Sequence, residues 1–279
     1  MPAMPTRQRL LMLLVLALLL ALAWLRPLDD AATQQVDAGL KRALVTFATA
    51  RALNAVISVA QGTEVAVQPA GVGVTFAPGQ VLDPVNDLVE QFSTLILAAS
   101  VSFGVQRALV AVGGYWAVSL LLTVAALAWT ALHWRGSGLG QAPPTWLTRL
   151  LLAPVLVRFA VPVVALAGEA SFQLFLAEDY SAGQARIELS TDQFGSLNAP
   201  ADPTRPDESV ADRMKRWWSQ TADVGKRFDE MKQVASRTVE HIVKLIVVFL
   251  MQTLVLPLLL MWALLRLSRL LLGWAATGR

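Results

Sequence analysis

Residues 134–149 read WRGSGLGQAPPTWLTR, a stretch with two arginines, no carboxylate, a glycine-rich turn and a Pro-Pro pair, set between two long apolar runs. A short basic loop without acids, held between apolar runs, belongs on the cytoplasmic face of a membrane by the positive-inside rule. This stretch therefore decides both the fold class and its orientation. The run before it is Trp116 to Trp134, with Tyr115 and Trp116 at one mouth and Trp134 at the other. Amphipathic rings prefer that headgroup level. After the loop come Leu150 to Leu166 and then Leu245 to Leu265, and well ahead of it Leu10 to Leu25 follows Arg7 and Arg9. Each approaches the about 20 residues that a helix rising about 1.5 Å per residue needs to cross about 30 Å of hydrocarbon. Pro154, Pro162 and Pro257 interrupt the last two, which lipid tolerates where neighbouring helices satisfy the freed carbonyls.

Carboxylates are absent before Asp29, between Glu90 and Glu169, and after Glu240, while Arg7, Arg9, Arg266, Arg269 and Arg279 make both ends basic. The expected fold is mainly α: a polytopic membrane protein with four transmembrane helices, a long periplasmic helix pair and a small β-hairpin. Both termini are cytoplasmic, and the Ala-, Leu- and Arg-rich composition suits a bacterial inner membrane. The expected segments are a tail with the first span (1–28), a periplasmic segment (29–114), a second span (115–134), a cytoplasmic loop (135–149), a third span (150–176), a second periplasmic segment (177–241), a fourth span (242–265) and a cytoplasmic tail (266–279). The first run ends in Ala-Trp-Leu-Arg-Pro rather than small residues spaced for a peptidase, which favours an uncleaved signal anchor over a cleaved signal peptide. Phe92 to Val112 is apolar apart from Gln106 and Arg107. A fifth crossing there would export the basic loop and the basic C-terminus, so an amphipathic or half-submerged helix at the outer surface is expected.

Composition narrows the function classes. With 55% hydrophobic and 15% charged residues, the chain falls well below the roughly 25% charge of soluble domains. Its net charge of +3 does not converge on a soluble face, so no nucleic acid is expected as a partner. The absence of cysteine excludes disulfides, thiolate nucleophiles and zinc sites built on thiolates.

In the first exported segment Val36, Leu40, Leu44, Phe47 and Ile57 recur at helical spacing, and the helix should stop near Gly62. Glu64 to Gln68 alternates, Pro69-Ala-Gly signals a turn, and Val72, Val74 and Phe76 alternate again, which predicts the hairpin. Asp83-Pro84 restarts a helix, since an Asp cap followed by Pro satisfies an orphan amide and presets φ. The second segment opens with a loop-like region rich in Ser, Asp, Gly and Pro, including residues 198–206 with three prolines. From Val210 a heptad pattern follows: Met214, Trp217, Thr221, Val224, Phe228, Met231, Ala235, Thr238, Ile242, Leu245 and Phe249. Met214, Trp217, Val224, Phe228 and Met231 form the candidate interaction seam. Its partner is either the helix of Val36 to Ile57 or a second copy in a coiled coil.

No residue set carries a catalytic motif. His133 and His241 lie near opposite membrane faces, Gly136-Ser-Gly-Leu-Gly follows no strand and lacks the phosphate-cradling ending, and no nucleophile elbow is present. Hence no enzyme, no cofactor and no metal are expected. Arg158 stands within the third span, about 12 Å from its cytoplasmic end, where an unpaired charge costs a few kcal/mol or more. Gln252 and Thr123 lie at reachable depth, so Arg158, Gln252 and Thr123 form the candidate intramembrane polar site, with snorkelling of Arg158 to phosphates as the alternative. Glu169 and Lys244, each about 30 Å from the cytoplasmic end of its helix, form the candidate interhelix ion pair.

The run LDPVNDLVEQFS (82–93), followed by AASVSFGVQ (98–106), resembles a segment of uncharacterised bacterial multi-pass inner-membrane proteins. The likeness covers about 25 residues around Leu82 to Gln106 and implies location, with no activity attached. The function expected is non-enzymatic: a periplasmic helical module that mediates assembly or protein–protein interaction in the cell envelope, with the lipid bilayer and a homo-oligomer or other envelope protein as partners. The alternative is a subunit of a small channel or transporter using Arg158 and Gln252.

Overall fold

The computed structural model describes residues 6–61, 65–67, 74–76, 82–136, 145–197 and 210–277. They form eight α-helices: α1 (Thr6–Leu25), α2 (Pro27–Gln61), α3 (Asp83–Gly113), α4 (Trp116–Gly136), α5 (Thr145–Phe175), α6 (Ala177–Leu197), α7 (Val210–Leu250) and α8 (Leu256–Thr277). A π-helical turn, Met251–Val255, joins α7 to α8. Strands β1 (Val65–Val67) and β2 (Val74–Phe76) pair antiparallel, Val65 opposite Phe76. The chain joining them lies outside the described residues, which leaves the expected hairpin unsupported beyond that ladder.

Among the described residues four helices are long and apolar enough to cross a membrane: α2, α3, Thr148–Phe175 within α5, and Asp229–Leu270 through α7, the π turn and α8. The fold is that of a helical membrane protein, but membership of the set differs from the sequence expectation. Leu150 to Leu166 and Leu245 to Leu265 fall inside long apolar helices, whereas Leu10–Leu25 and Trp116–Leu132 are shorter apolar helices. Phe92 to Val112 is no separate surface element. It is the second part of α3, and Arg107 on it is exposed and pairs with the half-exposed Asp37 at 3.3 Å. A further correction concerns the start of the second acidic segment, where residues 177–197 form the helix α6 rather than a loop. Glu178 and Asp179 in its first turn complement the positive end of the helix, and Ile187 and Phe194 supply a buried face two turns apart.

The chain divides into two compact units. Residues 1–41, 100–175 and 250–279 form the first, and residues 42–99 and 176–249 the second.

In the first unit α1 packs on α4, α4 on α5 and α5 on α8. Ala23, Leu122 and Phe159 make a buried cluster, with Leu19, Leu20, Leu151 and Val155 packed around it. The surface of this unit is apolar: Leu10, Leu14 and Leu18 on α1, Val101, Val105 and Val112 on α3, and Leu120, Val124 and Leu127 on α4 are all exposed. A contiguous apolar exterior of this kind belongs in lipid.

The second unit is built differently. Leu53, Ile57, Phe92, Ile96, Ile187, Phe194, Ile242, Leu245 and Phe249 are fully or nearly fully buried. Arg51, Asp87, Glu90, Glu178, Arg186, Glu188, Asp192, Lys232 and Arg237 stand exposed on all of its helices. The lower half of the heptad pattern, Met231, Ala235, Thr238, Ile242, Leu245 and Phe249, is buried within the unit. It packs on α6: Thr238 Oγ1 hydrogen-bonds Ser190 Oγ at 2.9 Å, and Tyr180 meets the Phe249 ring edge-on at 6.0 Å. A Cβ on Gly183 would lie 2.9 Å from Leu245, so glycine is what lets the two helices approach there. These contacts set α6 and α7 antiparallel, with Leu197 at the level of Met231. On that register α7 runs about 30 Å further, from Glu230 back to Val210.

Candidate functional site

The site is built around the end of α1. Pro27 has no N–H, so the carbonyl of Ala23, four residues before it, lacks its helical donor. Arg26 takes a left-handed conformation, φ 58°, which costs a non-glycine residue on the order of 1 kcal/mol. Its own N–H closes on the Leu22 carbonyl at 3.2 Å, and its carbonyl accepts from Asp29 and Asp30 at 3.1 Å, which starts α2 at once. The junction thus leaves a free carbonyl at Ala23 and sets Asp29 in the first turn of α2.

Arg158 meets both. Its Nη1 and Nη2 donate to the two carboxylate oxygens of Asp29 at 2.7 and 2.5 Å, a bidentate fork. Nη2 also donates to the Ala23 carbonyl at 2.9 Å, which accepts a second hydrogen bond from Ser119 Oγ at 3.1 Å. Arg158 is 0% exposed and Asp29 7%. The guanidinium carbon lies 5.3 Å from the Phe159 ring centroid, within cation–π range. Gly114 admits the carboxylate, since a Cβ there would stand 3.1 Å from Asp29 Oδ2. The clasp therefore ties α1, α2, the α3–α4 junction, α4 and α5 at one point.

The same logic recurs at the π turn. Pro257 removes the donor for the Thr253 carbonyl, and Ser102 Oγ donates to that carbonyl at 3.5 Å. Leu256 N–H reaches back five residues to the Met251 carbonyl, and the turn buries Gln252. Gln252 Nε2 donates to Glu169 Oε2 at 3.5 Å, while Gln173 donates to Glu169 Oε1 at 2.7 Å.

These contacts redistribute the residues singled out from sequence. Arg158 is joined by Asp29 rather than by Gln252, which serves Glu169 about 16 Å further along α5. Thr123 accepts from Trp24 Nε1 at 3.1 Å and donates to the Ser119 carbonyl at 2.7 Å, one turn from the clasp. Snorkelling of Arg158 is excluded by its burial. Of the candidate ion pair, Lys244 bridges to Glu240 on the preceding turn of its own helix at 2.8 Å, and Glu169 accepts from Gln173 and Gln252. The side chains of Met214, Trp217, Val224 and Phe228 lie outside the described residues; Met231 is buried. Asp29, the first carboxylate of the chain, reads in sequence as the start of the aqueous segment, and Pro27, which removes the helical donor of the Ala23 carbonyl, is the signal that points to the junction.

A second polar network lies in the second unit. Gln184 Nε2 donates to Thr49 Oγ1 at 2.7 Å, Thr46 Oγ1 donates to Gln184 Oε1 at 3.0 Å, and both threonines belong to α2. This network fastens α6 to α2 as Ser190 fastens it to α7. Neither cluster pairs an activated nucleophile with a base, and no group of three metal-ligating side chains occurs among the described residues. Comparison with known protein families, curated proteins and solved structures gives no match.

Proposed function

We propose that this protein is a non-enzymatic component of a bacterial inner membrane, with both termini cytoplasmic, whose second unit is a periplasmic helical module for assembly with another envelope protein or a second copy. The observation that carries this reading is the register of α7 on α6. The buried half of the heptad pattern is used inside the unit, and α7 continues as a helix about 30 Å beyond the end of α6. That extension bears Met214, Trp217, Thr221, Val224 and Phe228 at the same three-and-four spacing. A heptad stripe recruits another helix. The orientation is supported by the distribution of carboxylates, none of which lies before Asp29, between Glu90 and Glu169, or after Glu240.

Conduction through Arg158 and Gln252 has weaker support, because both side chains are buried and hydrogen-bonded to carboxylates instead of lining a polar opening.

The chain contains no cysteine, so a single introduced thiol reports cleanly. With Val224→Cys in native membranes, a bifunctional thiol–amine crosslinker should yield one discrete adduct, and Glu188→Cys on exposed α6 should yield none. Equal adducts at both positions, or none at Val224, would remove the assembly reading.

A further inference from the structure

The face of α8 turned away from α5 is exposed. Leu260, Ala263, Leu264 and Leu267 line a cavity of about 150 Å³ with Val163, Val164 and Ala167 of α5, which fixes the α5-facing side of the helix. At about 100° per residue, Leu258, Trp262, Leu265 and Arg269 fall on the opposite side, with Arg266 beside them. Leu258 is 63% and Trp262 60% exposed, and both arginines are exposed. Trp262, Leu265, Arg266, Arg269 and Leu270 line a separate concavity of about 310 Å³. Within it the Arg266 guanidinium carbon sits 5.5 Å from the centroid of the Trp262 ring, which braces one of its two cations.

We propose that this face binds an anionic phospholipid, with the phosphate between Arg266 and Arg269 and an acyl chain along Trp262, Leu265 and Leu258. Charge complementarity selects this occupant. The last side-chain carboxylate in the sequence is Glu240, before α8 begins at Leu256, so the two arginines face no acid of their own helix. On α5, Glu169 is engaged by Gln173 and Gln252, and the Asp29 carboxylate is held by Arg158. An exposed apolar stripe that ends in two cations beside a tryptophan matches a phospholipid at the membrane interface: tails against the leucines, ring at headgroup depth, phosphate on the guanidinia. A soluble anion would use the arginines and leave the stripe uncovered. The inference does not depend on the assembly role of α7.

The test is native mass spectrometry of the full chain in mild detergent, titrated with phosphatidylglycerol or phosphatidylcholine of matched chains. Phosphatidylglycerol should be retained at least tenfold better. Each cation near a lipid surface contributes about fivefold, so Arg266→Gln with Arg269→Gln should lower that retention about 25-fold with an unchanged melting temperature. The double lysine variant should stay within about threefold of wild type, and Trp262→Leu, which keeps both charges, should lose about two- to fivefold. Equal retention of the two lipids, undiminished retention by a folded double glutamine variant, or displacement of the lipid by inorganic phosphate at equal concentration would each overturn the proposal. If the glutamine variant fails to fold, Trp262→Leu decides: undiminished phosphatidylglycerol retention there contradicts the proposed seat.

Discussion

The two units solve the same problem of holding helices together with opposite materials. In the first, apolar side chains face outward and the interior holds the polar groups that matter: Arg158 forked onto Asp29, Ser119 and Arg158 on the Ala23 carbonyl, Ser102 on the Thr253 carbonyl, and Gln252 on Glu169. In the second, charges face outward on every helix and the interior is a heptad core, with Gln184, Ser190 and Thr238 bridging helices. Where water competes for polar groups outside, apolar burial stabilises the fold. Where lipid surrounds the helices, burial of leucine against leucine gains little, and polar groups that no solvent can satisfy hold the helices instead. The prolines follow the same division. Pro27 and Pro257 each remove the i+4 donor of a carbonyl in the first unit, and a neighbouring helix donates to that carbonyl each time.

This contrast predicts a ranking of substitutions. Removal of one partner of the buried pair should have the largest effect: Asp29→Leu or Arg158→Leu leaves an uncompensated buried charge and should cost about 3–5 kcal/mol, read as loss of folded protein in detergent titrations of unfolding. The double variant should recover most of that loss, since a well-packed apolar pair is often as stable as a buried ion pair. Next comes Gly183→Val in the second unit, where the new side chain enters space held by Leu245 and should cost about 1–3 kcal/mol. Thr238→Val removes a buried hydroxyl that bonds the Val234 carbonyl and Ser190 Oγ while keeping its volume, and should cost about 1 kcal/mol by the same assay. Glu240→Ala should leave the unfolding curve unchanged, because its bridge to Lys244 is exposed on both sides. If Glu240→Ala and Arg158→Leu proved equal, the division between the units would be false.

Much of the fold was readable along the chain because periodicity is local. The end of α2 at Gln61 beside the expected stop near Gly62, the start of α3 at Asp83-Pro84, and the heptad positions Met231 to Phe249 all follow from spacing and end signals. What escaped was set by partners distant in sequence. Arg107 is exposed, as its charge suggests, but nothing nearby in the chain announces its partner Asp37. By depth alone Arg158 matches Gln252 and Thr123, whereas its partner Asp29 comes from the first turn of α2, delivered there by the break at Arg26-Pro27. Helix α6 is hidden by polar composition: of its buried residues Gly183, Gln184, Ile187, Ser190 and Phe194, only Ile187 and Phe194 carry apolar side chains, and Ser190 is polar because Thr238 bonds it.

The difference in surfaces can be read directly with single cysteines in this cysteine-free chain, one at Glu188 on α6 and one at Leu109 on α3, treated with a membrane-impermeant maleimide in spheroplasts. The account predicts rapid labelling of Glu188→Cys from outside and no labelling of Leu109→Cys until the membrane is dissolved in denaturant. Labelling at Leu109 in intact membranes, or protection at Glu188 that is lifted only when the cytoplasmic side is opened, would contradict it.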